Sequence, residues 1–199
     1  MDARVEVPQY EMHKEAEVDP AKTALIVVDM QNDFVKEGGT LVVPDAEATI
    51  PAIQGLLDLA RESGMKVITQ NTHNEGDPEW EIWPEHVRER NWGWQIVDQL
   101  QPLEDELVVC KVRYGAFYGT HLDHFLRTWD VGTLIVCGTV ANICVHYTAA
   151  SAALRWFKVI IPKDATYALE PFDLESSPRQ TSFLFNGKIT QSRAITTAA

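Results

Sequence analysis

The feature that most constrains this chain is an alternation that recurs along most of its length. Short apolar runs rich in β-branched residues are separated by longer segments with helical apolar spacing. TALIVVD (Thr23 to Asp29), MKVITQN (Met65 to Asn71), ELVVCK (Glu106 to Lys111), TLIVCG (Thr133 to Gly138) and KVIIPKDA (Lys158 to Ala165) are the short runs, and NGKITQS near the C-terminus reads as a sixth. An apolar run without polar alternation is a strand buried on both faces, as in a parallel sheet. DAEATIPAIQGLLDLARESG (Asp45 to Gly64) carries apolar residues at helical spacing and stops at a glycine. GTHLDHFLRTWDVG reads as a helix ending near Gly132, and NICVHYTAASAALRW as the helix after the fourth strand. Strands alternating with helices predict an α/β fold, a parallel sheet with helices on both faces. The functional crevice of such a sheet lies beyond the carboxyl ends of its strands.

Bulk properties narrow the rest. The chain has 199 residues, 45% of them hydrophobic, enough for one sizeable core and marginal for two. A single domain over 1–199 is expected, with 1–20 as a polar N-terminal arm. The formal net charge is -12 and there is no Lys/Arg cluster, which argues against nucleic acid. No apolar run approaches the ~20 residues of a membrane span. The N-terminus lacks the basic-then-apolar pattern of a signal peptide. Three cysteines without paired spacing suggest free thiols in a reducing, cytoplasmic setting.

Three strand ends carry polar residues. VVDMQNDF puts Asp29 at the carboxyl edge, VVCKVRYGAF puts Lys111 there, and Cys144 follows the Gly138 strand end by six residues. Each has an ordinary reading alone: a turn cap, a solvated lysine, a core thiol. Together they deliver a carboxylate, an ammonium and a thiol to one edge. Unpaired N–H groups at a helix start and a nearby ammonium both favour thiolate. A carboxylate can take the thiol proton and hand it to a leaving amine. The N–H groups of the turn before Cys144 can hold an oxyanion. This set specifies acyl transfer from an amide-like carbonyl. Cys110 and Cys137 lie inside strands and read as core. His146, two residues past Cys144, faces away from it on the helix. His121 and His124 read as surface residues.

A second cluster follows the second strand in QNTHNEGDPEWEIWPEHV. Asn71 and His73 share one side of the strand end, and His86 lies further along the loop. Two imidazoles and a side-chain oxygen suit Zn, Fe or Mn; surface histidines in a polar loop are the plainer alternative. Trp80 and Trp83 can wall a flat, apolar substrate or simply pack the loop.

The segments VVDMQNDF, NTH…WPEH, CKVRYGAF, GTVANICVHYTAASA and VIIPKDA span Ala24 to about Ala165. In that order they resemble the isochorismatase-like cysteine hydrolases, the superfamily of nicotinamidase, N-carbamoylsarcosine amidohydrolase and related amidases. The resemblance implies a three-layer α/β/α, Rossmann-like fold with a six-stranded parallel sheet of order 3-2-1-4-5-6. It implies a catalytic triad of Asp29, Lys111 and Cys144, thioacyl-enzyme chemistry, a cis peptide between Thr139 and Val140, and oxyanion donors at the N–H groups of Val140 and Cys144. It implies a divalent metal on Asn71, His73 and His86, with Asn71 standing where nicotinamidases carry aspartate. It places Phe34 and Trp83 as substrate-binding rings, Trp83 matching the ring that stacks on a pyridine. It implies a homo-oligomer, a dimer or tetramer. A small amide, nicotinamide foremost, is the expected substrate. VRYGAFYGTHLDHFLR looks more like the carbamoyl-amide and isochorismatase branches, so ureido or carbamoyl amides are the alternative. Isochorismatase-type vinyl-ether hydrolysis is a further one, and Cys144 weighs against it, because true isochorismatases lack that thiol. The segment 167–183 is expected to help close the site or an interface.

Overall fold

The computed structural model describes residues 6, 8–71 and 75–198, with nothing said of the side chains at 70 and 71. The strands in chain order are β1 (Ala16–Val18), β2 (Thr23–Val28), β3 (Lys66–Asn71), β4 (Leu107–Cys110), β5 (Thr133–Thr139), β6 (Lys158–Pro162), β7 (Thr166–Tyr167), β8 (Lys188–Thr190) and β9 (Ile195–Thr197). The α-helices are α1 (Asn32–Val35), α2 (Ile50–Ser63), α3 (Leu122–Thr128), α4 (His146–Ala153) and α5 (Pro171–Phe185).

The main sheet runs β4-β3-β2-β5-β6-β8, and β7 pairs with β5 as a seventh strand. Every pairing in it is parallel. Counted along the six expected runs this is the order 3-2-1-4-5-6. The centre falls to β2 because all six of its residues, TALIVV, are buried and offer no polar face to water. Strand alternation then divides the core. Leu25, Val27, Ile135 and Cys137 meet Ile53, Leu56, Leu57 and Ala60 of α2 on one face. Ala24, Ile26, Val28, Leu134 and Val136 meet Leu122 and Leu126 of α3 and Ala149 and Ala152 of α4 on the other. The three layers follow from the period of two along each strand.

Several expectations need correction. The fifth run is not one strand: β6 ends at Pro162, a 3-10 turn covers Lys163–Ala165, and β7 resumes against the far end of β5. Cys110 is exposed, because β4 is the edge strand and only Val109 of its residues is buried. Part of the stretch read as a polar arm is structured. Ala16 and Val18 are buried, and β1 pairs in parallel with β9 through Ala16↔Ile195 and Val18↔Thr197. Gly64 does end α2, in a left-handed conformation (φ 76°) that turns its N–H back to the carbonyls of Ala60 and Arg61. Cys137 is buried, as expected, while His121 and His124 are exposed. Among the described residues no helix is long and apolar enough to cross a membrane.

Candidate active site

Three strand ends build the site. Asp29 follows β2 with a left-handed φ of 48°, a backbone state uncommon for residues other than glycine. Lys111 follows the edge strand β4. The chain leaving β5 passes a cis Thr139–Val140 bond and enters a widened turn, Ala141–Val145, which closes with Val145 N–H on the carbonyl of Val140 (3.2 Å). Such wide turns within helices recur at functional sites. Cys144 sits in this turn, and α4 continues from His146. Gly138 makes the convergence possible. It has φ 104°, and a Cβ there would lie 2.1 Å from the carbonyl oxygen of Val28.

The side chains meet in the interior. Lys111 Nζ lies 2.7 Å from Asp29 Oδ2 and donates to Cys144 Sγ at 3.7 Å. All three residues are buried. Asp29 Oδ1 is buried without a hydrogen-bond donor from the described residues. Burial works against the Lys111 ammonium, but the Asp29 carboxylate and then Cys144 and Glu79 outweigh it and hold the lysine above its ordinary value. Burial also pushes the Cys144 thiol up; the Lys111 charge pulls the other way, and the Asp29 carboxylate adds to the rise. The ammonium acts on the thiol in the expected direction, and burial opposes it. Low dielectric and the neighbouring carboxylate both act to raise the thiol, against the pull of the ammonium.

The residues around Asp29 are structural, and they explain the QND of the motif. Gln31 Nε2 donates to the carbonyl of Trp94 (2.7 Å) and Asn32 Nδ2 to that of Trp92 (2.9 Å). Asp33 accepts from the Val87 N–H (2.6 Å) and from Thr40 N–H and Oγ1 (3.1 Å each). Three polar side chains of one turn thus pin the long loop 84–95 over the site.

The cleft and its solvent-open mouth together span about 500 Å³. Asp29, Lys111 and Cys144 line it, as do Phe34, Trp83, His86 and Val140. Phe34 meets the His86 ring edge-on at 5.6 Å, and Trp83 Nε1 donates to the Tyr114 hydroxyl (3.1 Å). Trp80 is not among the lining residues. His86 is buried; burial lowers its pKa, and its Nδ1 lies 2.6 Å from the carbonyl of Pro84. A neutral imidazole anchored through one nitrogen to a carbonyl is the usual state of a metal-ligating histidine. His73 lies outside the described residues, as does the side chain of Asn71. Among the described residues no group of three His, Cys, Asp or Glu could hold a metal.

Sequence reasoning missed several lining residues. Glu79 is the most consequential. In Asp77-Pro78-Glu79, Asp77 caps a 3-10 turn by accepting the Glu79 N–H (2.8 Å), and the proline stands at its first position. That cap-and-proline pattern was the available signal. Tyr114 was missed as well, inside a motif quoted only for its lysine. Leu169 also lines the cleft. The segment 167–183 does bear on the site: Tyr167 donates to Asp45 Oδ2 (3.2 Å), and Ser177 Oγ donates to the carbonyl of Ala141 (2.7 Å), bracing the Cys144 turn. His146 turns toward Ser177 (Nδ1 to Oγ 3.3 Å).

A family model described as an Isochorismatase domain matches residues 23–190. The chain belongs to the isochorismatase family. It is 32% identical to the ureidoacrylate amidohydrolase RutB of Serratia proteamaculans (strain 568), over 76% of this chain and 72% of that protein. Among solved structures it is similar to N-carbamoylsarcosine amidase from Thermoplasma acidophilum, with TM-score 0.79 and 32% identity over 86% of this chain and 96% of that one. It is also similar to nicotinamidase PncA from Bacillus subtilis, with TM-score 0.81 and 26% identity over 85% of this chain and 100% of that one. These family relatives are named for amide-cleaving activities, and they differ in the amide.

Proposed function

We propose that this isochorismatase-family chain is a cysteine amidohydrolase that cleaves a small amide through a thioacyl-enzyme intermediate. The observation that carries the reading is the buried contact of Lys111 Nζ with both Asp29 Oδ2 (2.7 Å) and Cys144 Sγ (3.7 Å). Burial of the thiol favours a step in which proton loss accompanies attack. Sulfur adds to the amide carbonyl as its proton passes to Asp29, so a free thiolate never has to be stabilised in a dry site. The carbonyl oxygen becomes an oxyanion, held by the N–H groups of Val140 and Cys144. The C–N bond then breaks as Asp29 returns the proton to nitrogen, and ammonia or an amine leaves. Water attacks the thioester and gives a proton to Asp29; the C–S bond breaks and Cys144 recovers its proton. Lys111 stays charged throughout and faces the Asp29 carboxylate at 2.7 Å between proton transfers. A divalent metal bound by Asn71, His73 and His86 would supply Lewis-acid polarisation of a donor atom on the substrate.

Nicotinamide is the leading substrate, because Phe34, Trp83 and Tyr114 wall the cleft with rings suited to a flat body. Ureido or carbamoyl amides are the second reading, supported by the names of relatives at 32% identity. The test is ammonia release from nicotinamide, pyrazinamide, N-carbamoyl amino acids, ureidoacrylate and biuret, by wild type and Cys144→Ala. Turnover of at least one, lost in the variant, is expected. Activity retained by Cys144→Ala would overturn the mechanism.

A further inference from the structure

The side chain of Gln31 has two polar ends, and the fold uses only one of them. The residue is fully buried and lines the same cleft as Asp29, Lys111 and Cys144. A tight turn sets it beside Asp29: the Gln31 N–H donates to the Asp29 carbonyl at 2.8 Å. An antiparallel bridge to Ile96 fixes its backbone from the other side. Gln31 Nε2 donates to the carbonyl of Trp94 at 2.7 Å, and that bond settles which end of the amide is nitrogen and which is oxygen. The Oε1 end is left as a buried acceptor with no donor among the described residues. Other polar side chains around the cleft are engaged with each other. Arg113 Nη1 clamps both oxygens of Asp77 at 3.0 and 2.9 Å, and Trp83 Nε1 donates to the Tyr114 hydroxyl. A buried oxygen without a donor is costly, and in the wall of a cleft it calls for a donor from a bound molecule.

We propose that Gln31 Oε1 accepts an N–H of the substrate's leaving nitrogen, and so makes the cleft select amides and ureas that carry an N–H over esters of the same acids. The proposal rests on the amidohydrolase reading and deepens it. In that mechanism Asp29 returns a proton to the leaving nitrogen, so the nitrogen must come within reach of the Asp29 carboxylate. Gln31 follows Asp29 by two residues across a closed turn and faces the same cleft, which places its free oxygen in that neighbourhood. A primary amide nitrogen brings two N–H bonds. Gln31 takes one of them and steers the nitrogen's lone pair toward the proton on Asp29. When the C–N bond breaks, its electron pair stays on nitrogen, Asp29 supplies the third proton and ammonia leaves. An ester presents an oxygen at that place. It has no hydrogen to give, so Gln31 Oε1 stays unpaired and two lone pairs face one another.

Amide and ester pairs test the idea: nicotinamide against methyl nicotinate, pyrazinamide against methyl pyrazinoate, and N-carbamoylglycine against N-methoxycarbonylglycine. Both members of a pair form the same thioester on Cys144 and differ only in what leaves. The readout is kcat/KM for ammonia or methanol release by wild type and Gln31→Met. The methionine fills similar space and has no acceptor oxygen. Its kcat/KM is expected to fall ~tenfold further for the amide than for the paired ester, the scale of one hydrogen bond. An equal loss on both members would overturn the proposal, because a glutamine that served only the loop, a metal or the water of the second step affects amide and ester alike. No loss on either would overturn it too. Gln31→Glu keeps an acceptor at the same place and is expected to hold the amide-to-ester ratio at or above that of wild type. A ratio lowered tenfold there would overturn the proposal whether or not the methionine variant folds. Wild type that cleaves none of the amides would instead count against the amidohydrolase reading, whereas active wild type with an unchanged ratio in Gln31→Met counts against the role of Gln31 alone.

Discussion

A buried ion pair is asymmetric at the residue scale, and Lys111 illustrates it. Its ammonium is the partner that makes the buried Asp29 carboxylate tolerable. Removing the lysine leaves that charge unpaired in a dry interior, which typically costs about 3–5 kcal/mol. Lys111→Ala is therefore expected to lose stability on that scale in urea unfolding, as well as activity. Cys144→Ala, which strands no charge, is expected to fold with nearly wild-type stability and be inactive. If Lys111→Ala proved as stable as wild type, the carboxylate would not depend on the lysine. The thiol gives a pH prediction. Its pKa is raised in the folded protein, so thiolate is scarce at neutral pH and grows as pH rises. Iodoacetamide at pH 7 should modify the exposed Cys110 before the buried Cys144, and Cys144 should gain reactivity steadily toward alkaline pH. Peptide mass spectrometry at a series of pH values reads both. Preferential labelling of Cys144 at pH 7 would mean that the resting nucleophile is a thiolate.

At the scale of elements, the joint between β2 and β5 decides whether the site exists. Gly138 pairs with Val28, the last residue of β2, and a methyl group there would sit 2.1 Å from the Val28 carbonyl oxygen. Backbone cannot yield as a side chain does, and the left-handed φ adds a penalty of about 1–2 kcal/mol for any L side chain. Overpacking adds roughly 1–3 kcal/mol more. Gly138→Ala should lower Tm by far more than Gly64→Ala, where a Cβ would meet nothing within 4 Å and only the φ term applies. Calorimetry of the two variants checks the contrast. The strands themselves were legible because burial on both faces writes an unbroken apolar run, as in TALIVV. The convergence of Asp29, Lys111 and Cys144 was legible because each follows such a run. What sequence could not announce were features set by tertiary neighbours. Cys110 looks like a core residue until β4 is known to be an edge. Ala16 and Val18 are too short a pattern to signal a strand without β9 beside them. Glu79 reads as a loop charge until the Asp77–Arg113 clamp turns it inward. The protonation of Cys144 depends on how dry the site is, which no local motif encodes.

For the whole molecule, the surface poses a question that the site does not. Leu154 (74% exposed), Trp156 (93%), Phe183 (70%) and Leu184 (58%) project from the ends of α4 and α5, two helices that pack against one another. Scattered exposed apolar residues are ordinary, but four large ones near the ends of two packed helices suggest a surface whose partner can be tested. We propose a second copy of this chain as the partner, because the surface needs no complementary charge and every protomer carries the same residues. The net charge of -12 acts against such pairing. Like-charged protomers repel over a Debye length, about 10 Å at 0.1 M salt, so association should strengthen as salt rises. Light scattering coupled to gel filtration is expected to give a mass above the 22.4 kDa of one chain at moderate salt. Trp156→Asn, a residue that tolerates the left-handed backbone found there (φ 67°), together with Phe183→Asp should shift the mass toward the monomer without disturbing the cleft. A monomer under all salt conditions would mean that these side chains face water for another reason.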